Sequence, residues 1–380
     1  MKTPHYSKTN ISNVLFTAFW WLAHKISPSL SKSLIVYGIR DGAFADKRVF
    51  SKVLGIDVMG HHFKNPIGVA AGLDKRGNVI DGMISLGYGF GEFGSYTLEK
   101  EMPLKKVMYL RQDKAVLVQS LGYRNPGLKT IVPCLISRRH LPNFIGVNIA
   151  TSTPTESENI KQGQHMTYEY EFSLMAAKVA PYCDYITLNF SHPEIELSRL
   201  ISDRATLFPI VQSVRQAIEQ AAPIRPPKIV VKLPLDLTSY EVPLVCKVLL
   251  EAQVDAVIVG GVQSLSKNST NKLKDKKYHH IGMLAGKPIK DLSTALVANI
   301  YQQTQGKIPI IACGGVFNGK DAFEKIAAGA SLIQIYSAIV FQGPNVVNKI
   351  NKELTKILYD KGFEKLEDAV GCNIKHSMSQ

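Results

Sequence analysis

The sequence predicts an α/β protein built as a closed (β/α)8 barrel, the TIM-barrel architecture. Two observations predict it: an eightfold strand–helix rhythm from residue 65 onward, and glycine, lysine and asparagine placed where the strand-like runs end. The runs are IGVAAG (67–72), GFGEFGSYT (89–97), FIGVNIA (144–150), YITLNF (185–190), KIVVKLP (228–234), AVIVGG (256–261), IPIIACGG (308–315) and SLIQIYS (331–337). Each is short and apolar on both faces, as a strand buried in a parallel sheet must be. Helically spaced stretches lie between them, at 169–182, 206–220, 240–252, 294–304 and 319–329. Eight such units in about 290 residues match a closed barrel, whose sites lie at the C-terminal strand ends. A doubly wound open sheet is the competing fold, but no GxGxxG follows the first run. Residues 98–125 break the rhythm. There, 106–112 and 115–123 flank Asp113-Lys114 and predict a hairpin laid over the barrel mouth.

The 380 residues are 45% hydrophobic and 20% charged, the composition of an ordinary globular chain with a large core. A net charge of +14 admits nucleic acid, an anionic membrane or an anionic ligand. The lysines are spread along the chain rather than clustered with aromatics, which argues against nucleic acid. The exception is residues 1–55, with eight Lys/Arg against two Asp. Within it, SNVLFTAFWWLAHK (12–25) is too short to span a bilayer and has no signal-peptide cleavage pattern. Val14, Leu15, Ala18, Phe19 and Leu22 share one helical face, and a second helix is predicted over Ser29–Arg40, after Pro28. Two amphipathic helices rich in Trp and Phe and flanked by lysine would lie in a membrane interface; the alternative is a hairpin packed on the barrel itself. The domains are therefore read as 1–55, a membrane-associating extension, and 56–380, the barrel. Five scattered cysteines with no CxxC suggest neither a disulfide framework nor a metal site, and Cys313 reads as a buried, inert thiol.

Chemistry concentrates at the strand ends. Gly314 and Gly315 follow the seventh run and Ser337 ends the eighth, the place where barrels cradle a phosphate on backbone N–H groups. Lys75 follows the first run, Lys232 ends the fifth, and Asn148 and Asn189 end the third and fourth. These donors suit the N1/O2 and O4 edges of an isoalloxazine ring, where negative charge gathers on reduction. The bland alternative is that they only cap strand ends.

At these residues a family becomes recognisable. NPIGVAAGLDKRGNVIDGMISLGYGFGEFGSYT (65–97), FIGVNI, VVKLPLDLTS, GKPIKDLST and TQGKIPIIACGGVFNGKDAFEKIAAGASLIQIYSAIVFQGP resemble the quinone-dependent, membrane-associated (class 2) dihydroorotate dehydrogenases over nearly the whole chain. The resemblance implies FMN held by Ala71, Gly72, Leu73, Asp74, Lys75, Ser95, Asn148, Asn189, Lys232, Gly286, Gly314, Gly315, Tyr336 and Ser337. It implies dihydroorotate, or an analogue, held by Lys75, Gln119, Gly122, Tyr123, Asn189 and Glu194, with quinone as electron acceptor reached between the N-terminal helices. It also implies a step of pyrimidine biosynthesis at the cytoplasmic face of a bacterial inner membrane, or at the mitochondrial inner membrane of a eukaryote.

The substrate side departs from the family pattern. NxSSPNT, whose second serine is the family's base, reads Asn189-Phe190-Ser191-His192-Pro193-Glu194-Ile195, so the base position is His192. NRxGFN reads Gln119-Ser120-Leu121-Gly122-Tyr123-Arg124, TNTT reads Gly260-Gly261-Val262-Gln263, and GKNK reads Ala150-Thr151-Ser152-Thr153. Cofactor positions match while substrate positions do not. Three readings follow: a dihydroorotate dehydrogenase with His192 taking the C5 proton while hydride leaves C6 for the flavin, an FMN oxidoreductase of another substrate, and an inactive flavoprotein.

Overall fold

The computed structural model describes residues 39, 49, 51–77, 79–102, 107–120, 122–138, 143–151, 167–191, 197, 200–265 and 282–374. The two predicted N-terminal helices lie outside these residues except for Ile39, which is helical and buried. Its carbonyl sits so close to Gly82 that any side chain at 82 would collide with it.

The described chain begins with a hairpin, β1 (Ile56–Val58) and β2 (His61–Phe63), around a Met59-Gly60 turn with both residues at positive φ. That conformation is the one a two-residue hairpin turn requires. Next come β3 (Ile67–Val69), α1 (Ile80–Ser85), β4 (Phe90–Tyr96), β5 (Val107–Arg111), β6 (Val116–Ser120), α2 (Leu128–Arg138) and β7 (Ile145–Ile149). The middle of the chain forms α3 (Tyr168–Val179), β8 (Tyr185–Asn189), α4 (Arg204–Ala221), β9 (Lys228–Leu233), α5 (Glu241–Glu251), β10 (Ala256–Gly260), β11 (Gln263–Ser264) and β12 (Met283–Gly286). The C-terminal part forms α6 (Lys290–Thr304), β13 (Ile310–Cys313), α7 (Gly319–Ala327), β14 (Leu332–Ile335), α8 (Ser337–Gln342), α9 (Val346–Asp360) and α10 (Leu366–Ala369).

Strands β3, β4, β7, β8, β9, β10, β13 and β14 pair in parallel in that order and close on themselves, so each of the eight predicted runs supplies one barrel strand. Thr167, Asp203 and Asn318 start α3, α4 and α7 by accepting from backbone N–H groups of the first turn, which satisfies donors the helix cannot. Inside the barrel, small residues face large ones. A Cβ on Gly68 would lie 2.5 Å from the Phe90 ring, and one on Gly146 would strike the Tyr185 ring. Gly146→Ala should therefore destabilise the barrel by about 1–3 kcal/mol through overpacking, read as a lower urea midpoint with unchanged slope.

The predicted hairpin is present as β5–β6, but it does not stand alone. β12 pairs antiparallel with β6 and β11 with β12, giving a four-stranded sheet in the order β11-β12-β6-β5. Strands of two and four residues carry too few positions for a period of two to be visible in sequence.

Lys325 on α7 is fully buried, donating to the Lys290 carbonyl and Thr294 Oγ1, both at 2.8 Å. Burial pushes its amine down from 10.5 to about 7. Between those two values the unfolded chain holds a proton that the folded chain has released, so this group makes stability rise with pH across that window. Lys325→Met should flatten the rise, measured as the difference in unfolding free energy between pH 7 and pH 9 for variant and wild type.

Candidate functional site

At the C-terminal end of the barrel, neighbouring strands bring polar side chains into register: Asn148 lies opposite Thr187, and Asn189 opposite Lys232. Asn189 Nδ2 donates to Ser95 Oγ at 2.9 Å and to Asn148 Oδ1 at 3.2 Å. One layer deeper, the Glu92 carboxylate accepts from Asn148 Nδ2 at 2.8 Å, Gln334 Nε2 at 2.9 Å and Thr187 Oγ1 at 3.0 Å. Glu92, Thr187 and Gln334 are all fully buried, and the sequence reading passed over them. The available signal was a polar residue interrupting an apolar strand at an inward-facing position.

Lys232 is 8% exposed, and among the described residues no hydrogen-bond or ion-pair partner reaches it. Such a side chain can keep its charged end at the rim while its stem packs among the strand ends. Gly261, at φ +123, lies next to it: a Cβ there would be 3.9 Å from Lys232 Nζ and 3.6 Å from Cys313 Sγ. Burial pushes the Cys313 thiol up, which keeps it protonated and unreactive.

The loop Ala71–Lys75 joins the same rim. Gly72, at φ +106, donates its N–H to the Gly94 carbonyl at 2.7 Å, and the Tyr336 ring stands 3.7 Å from where a Cβ would be. Leu73 is buried beside it. The Asp74 carboxylate is committed elsewhere, accepting from the N–H groups of Gly77 and Val79 at 2.7 Å and of Arg76 at 3.1 Å. Any contribution of Asp74 to a ligand therefore falls to its main chain. Lys75 Nζ donates to the Tyr123 carbonyl, tying this loop to the segment after β6.

Gly314 and Gly315 hold φ +110 and +76, and Tyr336-Ser337 leads into α8 beside them through the pairing of β13 with β14. The glycine at 315 has a nearer cause than approach to a phosphate: a Cβ would lie 2.5 Å from Lys290 Cα. Gly286, at φ +96, is required in the same way, because a side chain would strike the Ala115 carbonyl at the hairpin.

On the substrate side the picture changes for Tyr123. Its ring packs into the hydrophobic core, where burial pushes its hydroxyl far above the ordinary range, so it offers the rim its carbonyl rather than its phenol. Gln119 is half-buried opposite Met283, and Gly122, at φ +54, borders open space. Asn125, which the motif comparison passed over, anchors this loop: Nδ2 donates to Thr97 Oγ1 at 2.9 Å, and Oδ1 accepts from the Gly127 N–H at 2.9 Å. Ser191 is buried with its hydroxyl donating to Asn189 Oδ1 at 2.7 Å. His192 and Glu194, and with them Ser152 and Thr153, lie outside the described residues.

The fold is a closed parallel (β/α)8 barrel whose C-terminal rim gathers Lys232, Asn189, Asn148 and Ser95, the end at which such barrels carry their sites. The sequence model of the dihydroorotate dehydrogenase family matches residues 53–358. The mouse mitochondrial dihydroorotate dehydrogenase (quinone) is 33% identical over 334 residues, spanning 85% of this chain and 80% of that protein. The dihydroorotate dehydrogenase (quinone) of Rhodospirillum rubrum is 31% identical over 357 residues, spanning 93% of each. Among solved structures, Eimeria tenella DHODH in complex with ferulenol superposes with a TM-score of 0.81 at 25% identity, covering 92% of this chain and 98% of that one. The chain belongs to the dihydroorotate dehydrogenase family, in its quinone-dependent (class 2) branch.

Proposed function

We propose that the chain is an FMN-dependent oxidoreductase that removes a hydride and a proton from dihydroorotate, giving orotate, and passes the two electrons of the hydride to a quinone. The observation that carries the cofactor is Lys232, a buried residue with no partner among the described residues, in register with Asn189, which is bonded to Ser95 and Asn148. When bound, FMN supplies the acceptor for hydride. The chain does the rest. Lys232, Ser95, Asn148 and Asn189 would hold its ring, the N–H groups around Gly314, Gly315 and Ser337 would hold its phosphate, and Ala71–Lys75 with Gly286 and Tyr336 would complete the cradle. Lys75, Gln119, Gly122, Asn189 and Glu194 hold substrate, to which Tyr123 contributes only its backbone. His192 takes the proton, because the neighbouring Ser191 hydroxyl is spent on Asn189. The deciding experiment is anaerobic addition of dihydroorotate to the purified yellow protein. Bleaching supports the assignment, and a persistent yellow colour refutes this substrate.

A second reading keeps the flavin chemistry and changes the substrate, and Gly260-Gly261 favours it. At φ +91 and +123 these residues place no side chain beside Lys232, and a Cβ on Gly260 would strike the Cys313 carbonyl. A carbon acid that needs no side-chain hydrogen bond at that rim would bleach the flavin where dihydroorotate does not.

Residues 1–40 are proposed to attach the barrel peripherally to an anionic membrane, through buried Trp, Phe and Leu area plus about 1 kcal/mol per nearby lysine. No described helix is long and apolar enough to cross a bilayer. Deleting 1–40 should leave a flavin-containing barrel that no longer sediments with anionic vesicles and reacts poorly with long-chain quinones. Undiminished sedimentation would refute the attachment.

A further inference from the structure

The loop that leaves β13, from Gly314 to Phe317, is held at its two ends by different helices. On the α6 side, a Cβ at Gly315 would lie 2.5 Å from Lys290 Cα, and one at Gly314 would lie 2.8 Å from Ile289 Cδ1. On the α7 side, the Phe317 N–H donates to Asp321 Oδ2 at 3.0 Å, and the Asp321 N–H donates in turn to Asn318 Oδ1 at 2.8 Å. The course of the loop therefore depends on the spacing between α6 and α7. The fully buried side chain of Lys325 spans that spacing. Its Nζ, carried by α7, donates to the Lys290 carbonyl and to Thr294 Oγ1 at the start of α6, both at 2.8 Å. Thr294 Oγ1 closes the triangle by donating to the Lys290 carbonyl at 2.9 Å. A further tie, Lys290 Nζ to Glu324 Oε2 at 2.8 Å, is partly open to solvent, where an ion pair holds little. Ser293 Oγ donates to the Cys313 carbonyl at 2.8 Å, which ties α6 to β13 and not to α7.

We propose that Lys325 is a positioning residue for the phosphate cradle: by fixing α6 against α7, it sets the Gly315 main chain where its N–H can receive the phosphate of FMN. Lys325 touches neither cofactor nor substrate. It acts through Lys290, the residue that both accepts its hydrogen bond and walls Gly315. The role needs two N–H donors and no charge, so the ammonium and the neutral amine fill it alike. That matters because burial lowers this amine to about 7. A methionine of similar length fills the same space without donating to either acceptor, so it releases α6 from α7 without emptying the core.

This inference rests on the FMN reading, and the test separates the two. Full-length wild type, Lys325→Met and Thr294→Val, stripped of flavin, are titrated with FMN and with riboflavin, which has the same ring and no phosphate. Lys325→Met should bind FMN about tenfold more weakly, the loss of a hydrogen bond to a phosphate, and riboflavin as tightly as wild type does. A merely structural loosening of the barrel would weaken both flavins alike, and that result overturns the proposal, as does unchanged FMN affinity. Thr294→Val removes one acceptor of the same amine and decides the matter should Lys325→Met fail to fold. It should weaken FMN about threefold and leave riboflavin unchanged; equal losses for both flavins, or none for either, again overturn the proposal. A wild type that holds riboflavin as tightly as FMN refutes the phosphate site itself, and with it the reading on which Lys325 was placed.

Discussion

Lys232→Ala is expected to purify nearly colourless, with FMN affinity reduced on the order of 10- to 100-fold, the loss of one hydrogen bond to a charged group. The reason lies in the barrel's own geometry. β9 carries Lys232 into register with Asn189, at 8% exposure, with no partner among the described residues to neutralise it. A cation held there is a cost to the apo-protein and a gain to the holoprotein, because the cost is recovered only when an electron-rich group arrives. The two states should therefore respond in opposite senses. Flavin-free Lys232→Ala should melt no lower than flavin-free wild type, while the wild type alone gains stability on adding FMN. Differential scanning fluorimetry with and without FMN reads both. Full flavin retention in the variant would move the cofactor away from this end of the barrel.

Most of the fold was legible in the sequence because the barrel's strands are buried on both faces. Ile229, Val230 and Val231 in β9, for instance, face core on either side, and such runs read as strands without alternation. The hairpin Val107–Ser120 was legible for a different reason, the polar turn at Asp113-Lys114 between two β-rich runs. β11 and β12 were not, since β12 is placed by pairing with β6 across a long sequence gap and β11 only adds to its far edge. For the site, a lysine ending an apolar strand is conspicuous, and Lys232 is where that signal placed it. Glycine is the ambiguous letter. Gly315 was read as a phosphate glycine, yet its Cβ position is filled by Lys290, and Gly286 answers to the Ala115 carbonyl. Tyr123 stands in the motif as a substrate residue, and its ring packs in the hydrophobic core, a placement the motif alone does not reveal. Glu92 was missed because a lone carboxylate inside GFGEFGSYT looks like a strand's exposed face until Asn148, Thr187 and Gln334 are seen around it.

Gly260 and Gly261 stand where the family pattern has a side-chain donor. Both hold positive φ, and Gly260 is pressed against the Cys313 carbonyl and Ser293. Placing an asparagine at 261 would strain the backbone as well as add a donor, since an L side chain rarely adopts φ near +120°. Placing the family's asparagine here is thus expected to lower stability without adding a substrate contact, read as a lower melting temperature and an unchanged rate of flavin bleaching by dihydroorotate.

The position with the largest expected effect on turnover is His192. Removal of its imidazole should slow flavin bleaching by on the order of 10²-fold or more, the usual contribution of a general base. The structure narrows the candidates without describing His192 itself: Ser191, the nearest hydroxyl on the same loop, already donates to Asn189 Oδ1 at 2.7 Å and is buried. Taking a substrate proton there would require the network to give up that bond. Histidine must be neutral to accept a proton, and its ordinary pKa is about 6.5, so the reductive half-reaction should rise with pH through a single ionisation and level off above it. If Glu194 faces the same pocket, its carboxylate favours the imidazolium and moves the ionisation to higher pH. Stopped-flow bleaching from pH 5 to 9 of wild type, His192→Ala and His192→Ser separates the outcomes. The alanine variant should lose both the rate and the ionisation. The serine variant restores the family's residue, so a gain of dihydroorotate oxidation there would show that histidine serves a different carbon acid. Equal bleaching in all three proteins would take His192 out of the mechanism.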